Sequence, residues 1–296
     1  EITDKVSKKV RNQYEENPYP RWRNVNKISK INFITDFKND ISPTKVPIGS
    51  EKTINNILIA GCGTGQQLAR QTFYTDSNIL AVDLSLASLA LAKRKMNELD
   101  SKNIEFLHAD LLNLKNIKRK FNVIECVGVL HHLNDPEAGL KVLLDLLEPN
   151  GYLKLGLYSE YARQHIVKSK KLLKKYNYKN TIHDIRNCRE MIKNNTDNKS
   201  FLKLNYNYDF YSTSSFRDLI LHVQEHLFTL PKISKILENY NLEFLGFTNP
   251  HIKKDYSKLF NDDVTNTSLQ NWNNFELMYP DTFKSMYQFW VKKAKN

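Results

Sequence analysis

Asn56-Ile-Leu-Ile-Ala-Gly-Cys-Gly-Thr-Gly-Gln-Gln67 is the stretch on which the reading of the chain turns. The apolar run Ile57, Leu58, Ile59, Ala60 stops abruptly at Gly61, Gly63 and Gly65, and helical character resumes from Gln66. That pattern predicts a buried strand, a tight turn and a helix N-terminus. Glycine suits such a turn because the backbone needs positive φ and must lie against a ligand with no Cβ between them. Alone, a Gly-x-Gly-x-Gly run is also what a plain strand–helix corner looks like.

The residues downstream give it context. Asn78-Ile-Leu-Ala-Val-Asp83 is a second apolar run ending in an acid, placed where a carboxylate can accept both hydroxyls of a ribose. Ile104-Glu-Phe-Leu-His-Ala-Asp110 ends a third strand with another acid, and Phe121-Asn-Val-Ile-Glu-Cys-Val127 is a fourth, leading into Gly128-Val-Leu-His-His-Leu133. In this order and spacing, the chain resembles the class I S-adenosylmethionine (SAM) methyltransferases. A nicotinamide-dinucleotide fingerprint would place its third glycine one residue later. The resemblance implies a cofactor site at Ala60, Gly61, Cys62, Gly63, Thr64, Gly65 and Gln66. It adds Asp83 and Leu84 at the ribose, Asp110 and Leu111 at the adenine, and Val127 and His132 beyond the fourth strand. One position departs from the family pattern: Ile59 stands two residues before the first glycine, where an acid usually helps hold the methionine part of SAM.

At 296 residues the chain is long enough for one domain with a substantial insertion. Cys62, Cys126 and Cys188 fit neither a disulfide framework nor zinc spacing, which predicts a reduced, cytoplasmic protein. No apolar run reaches the length of a membrane span, and the opening residues are not a secretory signal. A first residue of Glu1 is expected of a chain processed or cut from something longer. The net charge of +12 invites a nucleic-acid partner. However, the basic residues are mostly Lys and spread along the chain, without an RNA-binding motif, so solvated surface is the expected account.

In chain order, Ile2, Val6 and Val10 mark one face of an opening helix, with Tyr14 a turn further. The two prolines of Asn17-Pro-Tyr-Pro-Arg-Trp22 then enforce an extended arm bearing Tyr19, Arg21, Trp22 and Arg23. Two readings stand for it: aromatic packing onto the domain, or a lid with Tyr14 or an Arg at the methionine carboxylate. Residues 24–53 connect, with an apolar anchor at Ile28, Ile31, Phe33, Ile34 and Phe37. Strands at 56–60, 79–83, 104–108, 121–127 and 151–158 then alternate with helices at 65–74, 86–99 and 136–147, a rhythm that implies a parallel sheet wrapped by helices. Charged helices follow, including one expected over 216–228. Leu242–Phe247 and, after a long irregular segment, Met286–Val291 close the sheet. The expected fold is thus α/β, a Rossmann-like class I methyltransferase sheet, mostly parallel with its last strand antiparallel, carrying an N-terminal lid arm and a helical cap insertion. The units are 1–53 (helix and lid arm), 54–158 (SAM-binding core), 159–241 (cap and acceptor region) and 242–296 (closing strands).

The cap holds Tyr211-Ser-Thr-Ser-Ser-Phe-Arg-Asp-Leu-Ile-Leu-His-Val-Gln-Glu-His226. His222, Glu225 and His226 match the inverted zinc-peptidase pattern, and on a helix the two imidazoles would be one turn apart. A chain already committed to a SAM fold leaves no room for that peptidase, and no metal is assigned. These residues are read as polar pocket walls for the acceptor, together with Tyr19, Arg21, Tyr158, Arg163, Tyr211 and Arg217. Their cationic and phenolic character suits a small anionic or zwitterionic acceptor. His131 and His132 are candidate bases, with Tyr14 beside them; the alternative is that one packs against the cofactor and the other caps the helix at Asp135-Pro136.

A narrower resemblance covers nearly the whole chain. Glu16-Asn-Pro-Tyr-Pro-Arg-Trp22, the Gly-Val-Leu-His-His-Leu segment, Gly156-Leu-Tyr-Ser159 and Met286-Tyr-Gln-Phe-Trp-Val291 recur in bacterial methyltransferase domains, some of which follow tetratricopeptide repeats. It implies methyl transfer from SAM, leaving S-adenosylhomocysteine (SAH), to a small-molecule acceptor. A protein or RNA acceptor and a non-catalytic SAM-binding protein are the alternatives.

Overall fold

The computed structural model describes residues 2–22, 24, 32–46, 56–71, 74 and 77–293; Arg23, Ile28 and Ile31 lie outside them. Seven strands form one sheet: β1 (Asn56–Ala60), β2 (Asn78–Asp83), β3 (Ile104–His108), β4 (Phe121–Val127), β5 (Leu147–Leu157), β6 (Leu242–Phe247) and β7 (Tyr287–Lys293). Their order is β3-β2-β1-β4-β5-β7-β6. The first five are parallel, and β7 enters antiparallel between β5 and β6, as expected. β1, β2 and β4 are apolar almost throughout because helices cover both of their faces. The strand order reverses between β1 and β4, which opens a crevice beyond their carboxyl ends.

The helices are α1 (Lys5–Glu16), α2 (Phe33–Ile41), α3 (Gln66–Gln71), α4 (Leu86–Glu98), α5 (Pro136–Leu146), α6 (Gln164–Leu173), α7 (Ile182–Lys193), α8 (Lys199–Asn205), α9 (Thr213–Leu221), α10 (Leu230–Asn239), α11 (Pro250–Leu259) and α12 (Leu269–Met278). Side-chain caps start many of them. Ser85 accepts from Ser88 N–H ahead of α4, and Asp135 accepts from Glu137 and Ala138 N–H ahead of Pro136 in α5. On one face of the sheet Ile57, Ile59, Ile79 and Ala81 pack against Phe33 and Phe37 of α2 and Leu89, Ala92 and Met96 of α4. On the other, Leu58, Ala60, Leu80 and Val82 join a core with α5, α10 and α12. A separate core of Ile166, Leu173, Ile185, Cys188, Ile192, Phe201, Leu204, Phe210 and Phe216 holds α6–α9 together as the cap. α10, grouped with the cap by sequence, contributes Leu230, Ile233 and Leu237 to the sheet core.

Two expectations are corrected. The segment between the closing strands is not irregular: Asn249-Pro250 and Ser268 start α11 and α12, and sparse apolar spacing in the charged α11 hid it. The helix expected over 216–228 runs instead from Thr213 to Leu221, with His222 already extended at φ −60°, ψ 138°. Backbone bonds from His226 N–H to His131 O (2.8 Å) and from Phe228 N–H to Tyr158 O (2.9 Å) hold the next residues along the mouth of the sheet. Those long-range partners, invisible to local propensity, override the helical pattern.

Candidate functional site

The glycine turn is built around close approaches. Gly61 and Gly63 adopt φ +82° and +52°; a Cβ on Gly61 would fall 2.2 Å from Val129 Cγ2, and one on Gly63 would fall 2.6 Å from Tyr19 O. Asp83 braces this turn from β2, accepting Gly63 N–H at 2.8 Å and Ser85 N–H at 2.9 Å. Burial pushes its carboxyl up to about 6, against the pull of those two bonds. The N-terminal arm docks on the turn as well. Thr64 N–H reaches Tyr19 O at 3.3 Å, and Trp22 Nε1–H reaches Thr64 O at 3.1 Å. Further back on α1, Glu15 accepts from Leu86 and Ala87 N–H (2.6 and 3.1 Å) at the start of α4, where a carboxylate complements the unpaired amides of a helix N-terminus.

Turn, arm and sheet, with α1 and α9, line a partly open cavity of about 420 Å³. Gly61, Cys62, Gly63, Gln66, Asp83, Leu84, Asp110, Leu111, Val127 and His132 of the expected cofactor site line it. Ala60, Thr64 and Gly65 do not: Ala60 is in the core, Thr64 faces the arm, and Gly65 lies against Ala92 of α4. Tyr14, Tyr19 and Tyr158 line the opposite wall with Asp218. The floor is charged. Glu125 of β4 is paired in register with Ile59 of β1, and accepts from Gln67 Nε2 at 2.5 Å. Beside it Lys154 of β5 bonds Asp40 at 3.3 Å, and Arg70 grips Asp36 through two nitrogens at 2.9 and 2.7 Å. Burial alone would raise Asp40, but Lys154 and Arg70 hold it below the usual carboxylate range.

The histidines form a directed chain. His132 Nδ1 lies 2.8 Å from Gln224 O, which only accepts, so Nδ1 carries the hydrogen and Nε2 accepts from His131 Nε2–H at 3.1 Å. Gln224 N–H donates to His222 Nδ1 at 3.1 Å, so the neutral ring carries its hydrogen on Nε2 and donates to Tyr14 Oη at 3.2 Å; Tyr14 O–H donates to Asp218 Oδ1 at 2.7 Å. Burial pushes His132 down to about 4 and His131 and His222 well below their ordinary value, so the rings are neutral at pH 7. His132, Asp218 and His222 bring ligand atoms within 4.8 Å of one another. A metal on His222 Nε2 would nevertheless require the lone pair that this tautomer places on Nδ1. Burial pushes Asp218 up to about 7.

The other residues expected at the acceptor are dispersed. Arg21 is exposed, and Tyr211, 66% exposed, donates its hydroxyl to Asn205 O at 2.6 Å away from the cavity. Arg217 pairs with Glu16 at 2.6 Å. Arg163 lies 3.6 Å over the Tyr158 ring and pairs with Glu225 at 2.6 Å, and Lys170 takes the other Glu225 oxygen. His226 meets the Gln224 side chain at 3.1 Å. The sequence reading passed over Asp218 and Glu125. An acid inside the apolar run of β4 was the available signal for Glu125. Asp218, next to Arg217, carried no mark of its own.

Residues 57–151 match the family model for a methyltransferase domain. The Synechococcus protein syc1184_c is 27% identical over 234 residues, 75% of this chain and 56% of its own length. A tRNA U34 carboxymethyltransferase from Campylobacter jejuni is 30% identical over 139 residues, 46% of this chain and 43% of its own. The structure of PKMT2 from Rickettsia typhi, also solved in complex with AdoHcy, superposes with a TM-score of 0.64 at 20% identity, covering 93% of this chain and 54% of that one. The chain thus spans about half the length of these relatives. The domain and fold are those of the class I SAM-dependent methyltransferases, and SAM is their cofactor. Among the described residues no helix is long and apolar enough to cross a membrane.

Proposed function

We infer that the methyltransferase domain of this chain moves the methyl group of SAM onto a small-molecule acceptor by in-line displacement. One observation carries this reading: a single cavity joins the glycine turn, Asp83 and Asp110 to a wall of Tyr14, Tyr19, Tyr158 and Asp218, beneath the docked arm. The turn fits such a cofactor because its backbone lies where a Cβ has no room. The second lone pairs of the Asp83 oxygens suit the ribose hydroxyls, and Asp110 and Leu111 suit the adenine. Glu125 supplies, one strand over, the carboxylate that Ile59 lacks for the ammonium of the methionine part. SAM brings an electrophilic methyl on a sulfonium; the chain's part is to align the acceptor with it and exclude water. The arm serves the second task by closing on the turn through Tyr19 and Trp22.

A macromolecular acceptor is the second reading. It is favoured by Tyr206 and Tyr208 on the cap, 83% and 97% exposed, and by the tRNA-directed name of the Campylobacter relative. Radiolabelled SAM incubated with metabolite, protein and RNA fractions separates the two: label is expected in the metabolite fraction. Calorimetry with SAH on wild type and Asp83→Ala tests the cofactor site. Binding by both proteins alike, or by neither, overturns it.

A further inference from the structure

The acceptor wall carries one ionisable acid and no free cation among the described lining residues. Tyr14 comes from α1, Tyr19 from the arm, His132 from the turn after β4, Tyr158 from the end of β5 and Asp218 from α9. The cations nearest this wall are engaged elsewhere: Arg163 and Lys170 on Glu225, and Arg217 on Glu16. An anionic or zwitterionic acceptor, as the sequence suggested, would meet a carboxylate, phenols and neutral imidazoles. The Tyr14 hydroxyl is oriented by His222 on one side and spends its hydrogen on Asp218 Oδ1. That fixes the carboxyl in place and leaves Oδ2 for another donor.

We propose that Asp218, positioned by Tyr14, pairs with the ammonium group of a protonated amine acceptor and takes its proton, making the chain an amine N-methyltransferase. This rests on the SAM-dependent reading above. In the step, an N–H bond breaks and its proton passes to the Asp218 carboxylate. The freed nitrogen lone pair forms the N–C bond, and the electron pair of the C–S bond stays on sulfur as SAH leaves. The proton then returns to solvent. The groups facing Asp218 are Tyr14 on α1, Tyr19 on the arm, His132 after β4, Tyr158 after β5, Arg163 and Lys170 at α6, Asp209 before α9, and His222 and Glu225 beyond it. Burial raises its proton affinity enough for a base that works near neutral pH.

The test needs no acceptor in hand. Sinefungin is a SAM analogue with a C–NH3+ unit in place of the methylsulfonium, so it presents an ammonium where the acceptor nitrogen and the methyl meet. Calorimetry with sinefungin and SAH is run on wild type, Asp218→Asn and Tyr14→Phe between about pH 6 and pH 8. Wild type is expected to bind sinefungin more tightly as pH rises, and SAH with little change. Asp218→Asn is expected to lose about ten-fold or more for sinefungin at the upper pH and about two-fold or less for SAH. Tyr14→Phe, which keeps the charge but removes a bond to the carboxylate, should move the pH midpoint upward. Equal loss of both ligands in Asp218→Asn, or no loss of either, overturns the proposal. Wild type that binds neither ligand refutes the methyltransferase reading and this proposal with it; intact SAH binding with indifferent sinefungin refutes this proposal alone.

Discussion

Gly63→Ala probes how the arm and the cofactor turn depend on one another. Gly63 sits at φ +52°, and its replacement would place a Cβ 2.6 Å from Tyr19 O. Holding alanine in the left-handed region costs about 1–2 kcal/mol. The clash is relieved only if the Tyr19 carbonyl retreats by several tenths of an ångström, because the turn itself is pinned by Asp83 at 2.8 Å. That movement weakens the Thr64 N–H bond to Tyr19 O, already 3.3 Å long, and the Trp22 bond to Thr64 O at 3.1 Å. At about 0.5–1.5 kcal/mol each, the loss totals about 3 kcal/mol with the backbone term. The arm should therefore detach while the sheet stays folded. Urea unfolding measures the stability change, limited proteolysis across residues 17–22 reports the arm, and calorimetry should show SAH binding about ten-fold weaker. Wild-type SAH affinity together with an unchanged cleavage pattern would refute the reasoning, since the Cβ would then have found room the structure does not provide.

Glu125→Gln should weaken SAH by about ten-fold and leave adenosine, which lacks the amino-acid end, unaffected; calorimetry with both ligands checks the assignment. Glu225→Gln leaves Arg163 and Lys170 short of their carboxylate in a buried place, and is expected to cost about 3–5 kcal/mol in urea unfolding. Asp218 gives a pH signature. Folded, it keeps its proton up to about 7, whereas the unfolded chain releases it near 3.8. Its contribution to stability is complete below the unfolded value and lost as pH rises through the folded one. The stability of wild type relative to Asp218→Asn should thus fall between about pH 4 and pH 7, by at most about 4 kcal/mol. A flat difference across that range would show that the carboxyl is solvated.

The sheet and the cavity lining beside the glycine turn were legible because their signals are local. Uninterrupted apolar runs ending at Gly61 and at Asp83 need no tertiary information. Of the opposite wall, Tyr14, Tyr19 and Tyr158 were named from sequence and line the cavity, whereas the cap residues were not legible. His222, Glu225 and His226 looked helical because nothing in their own sequence records the backbone bonds to His131 and Tyr158 that straighten them. Arg163 and Arg217 were read as ligands for an anion because their partners, Glu225 and Glu16, come from 62 and 201 residues away. Glu125 was readable in principle, since burying a carboxylate inside a strand is costly unless something answers it. Its place beside Ile59 became visible only in the strand register.

The insertion of β7 between β5 and β6 sets the order in which the protein can be completed. Until Tyr287–Lys293 has been synthesised, β6 has no strand to pair with, and the side of β5 away from β4 remains an open edge. Both antiparallel ladders must form together, by closing a loop of more than a hundred residues from β5 and one of about forty from β6. Chains halted before residue 287 on the ribosome should therefore carry a folded β1–β5 half with an adhesive flank. Bringing in β7 is the late step that extends this five-stranded sheet to the seven-stranded one.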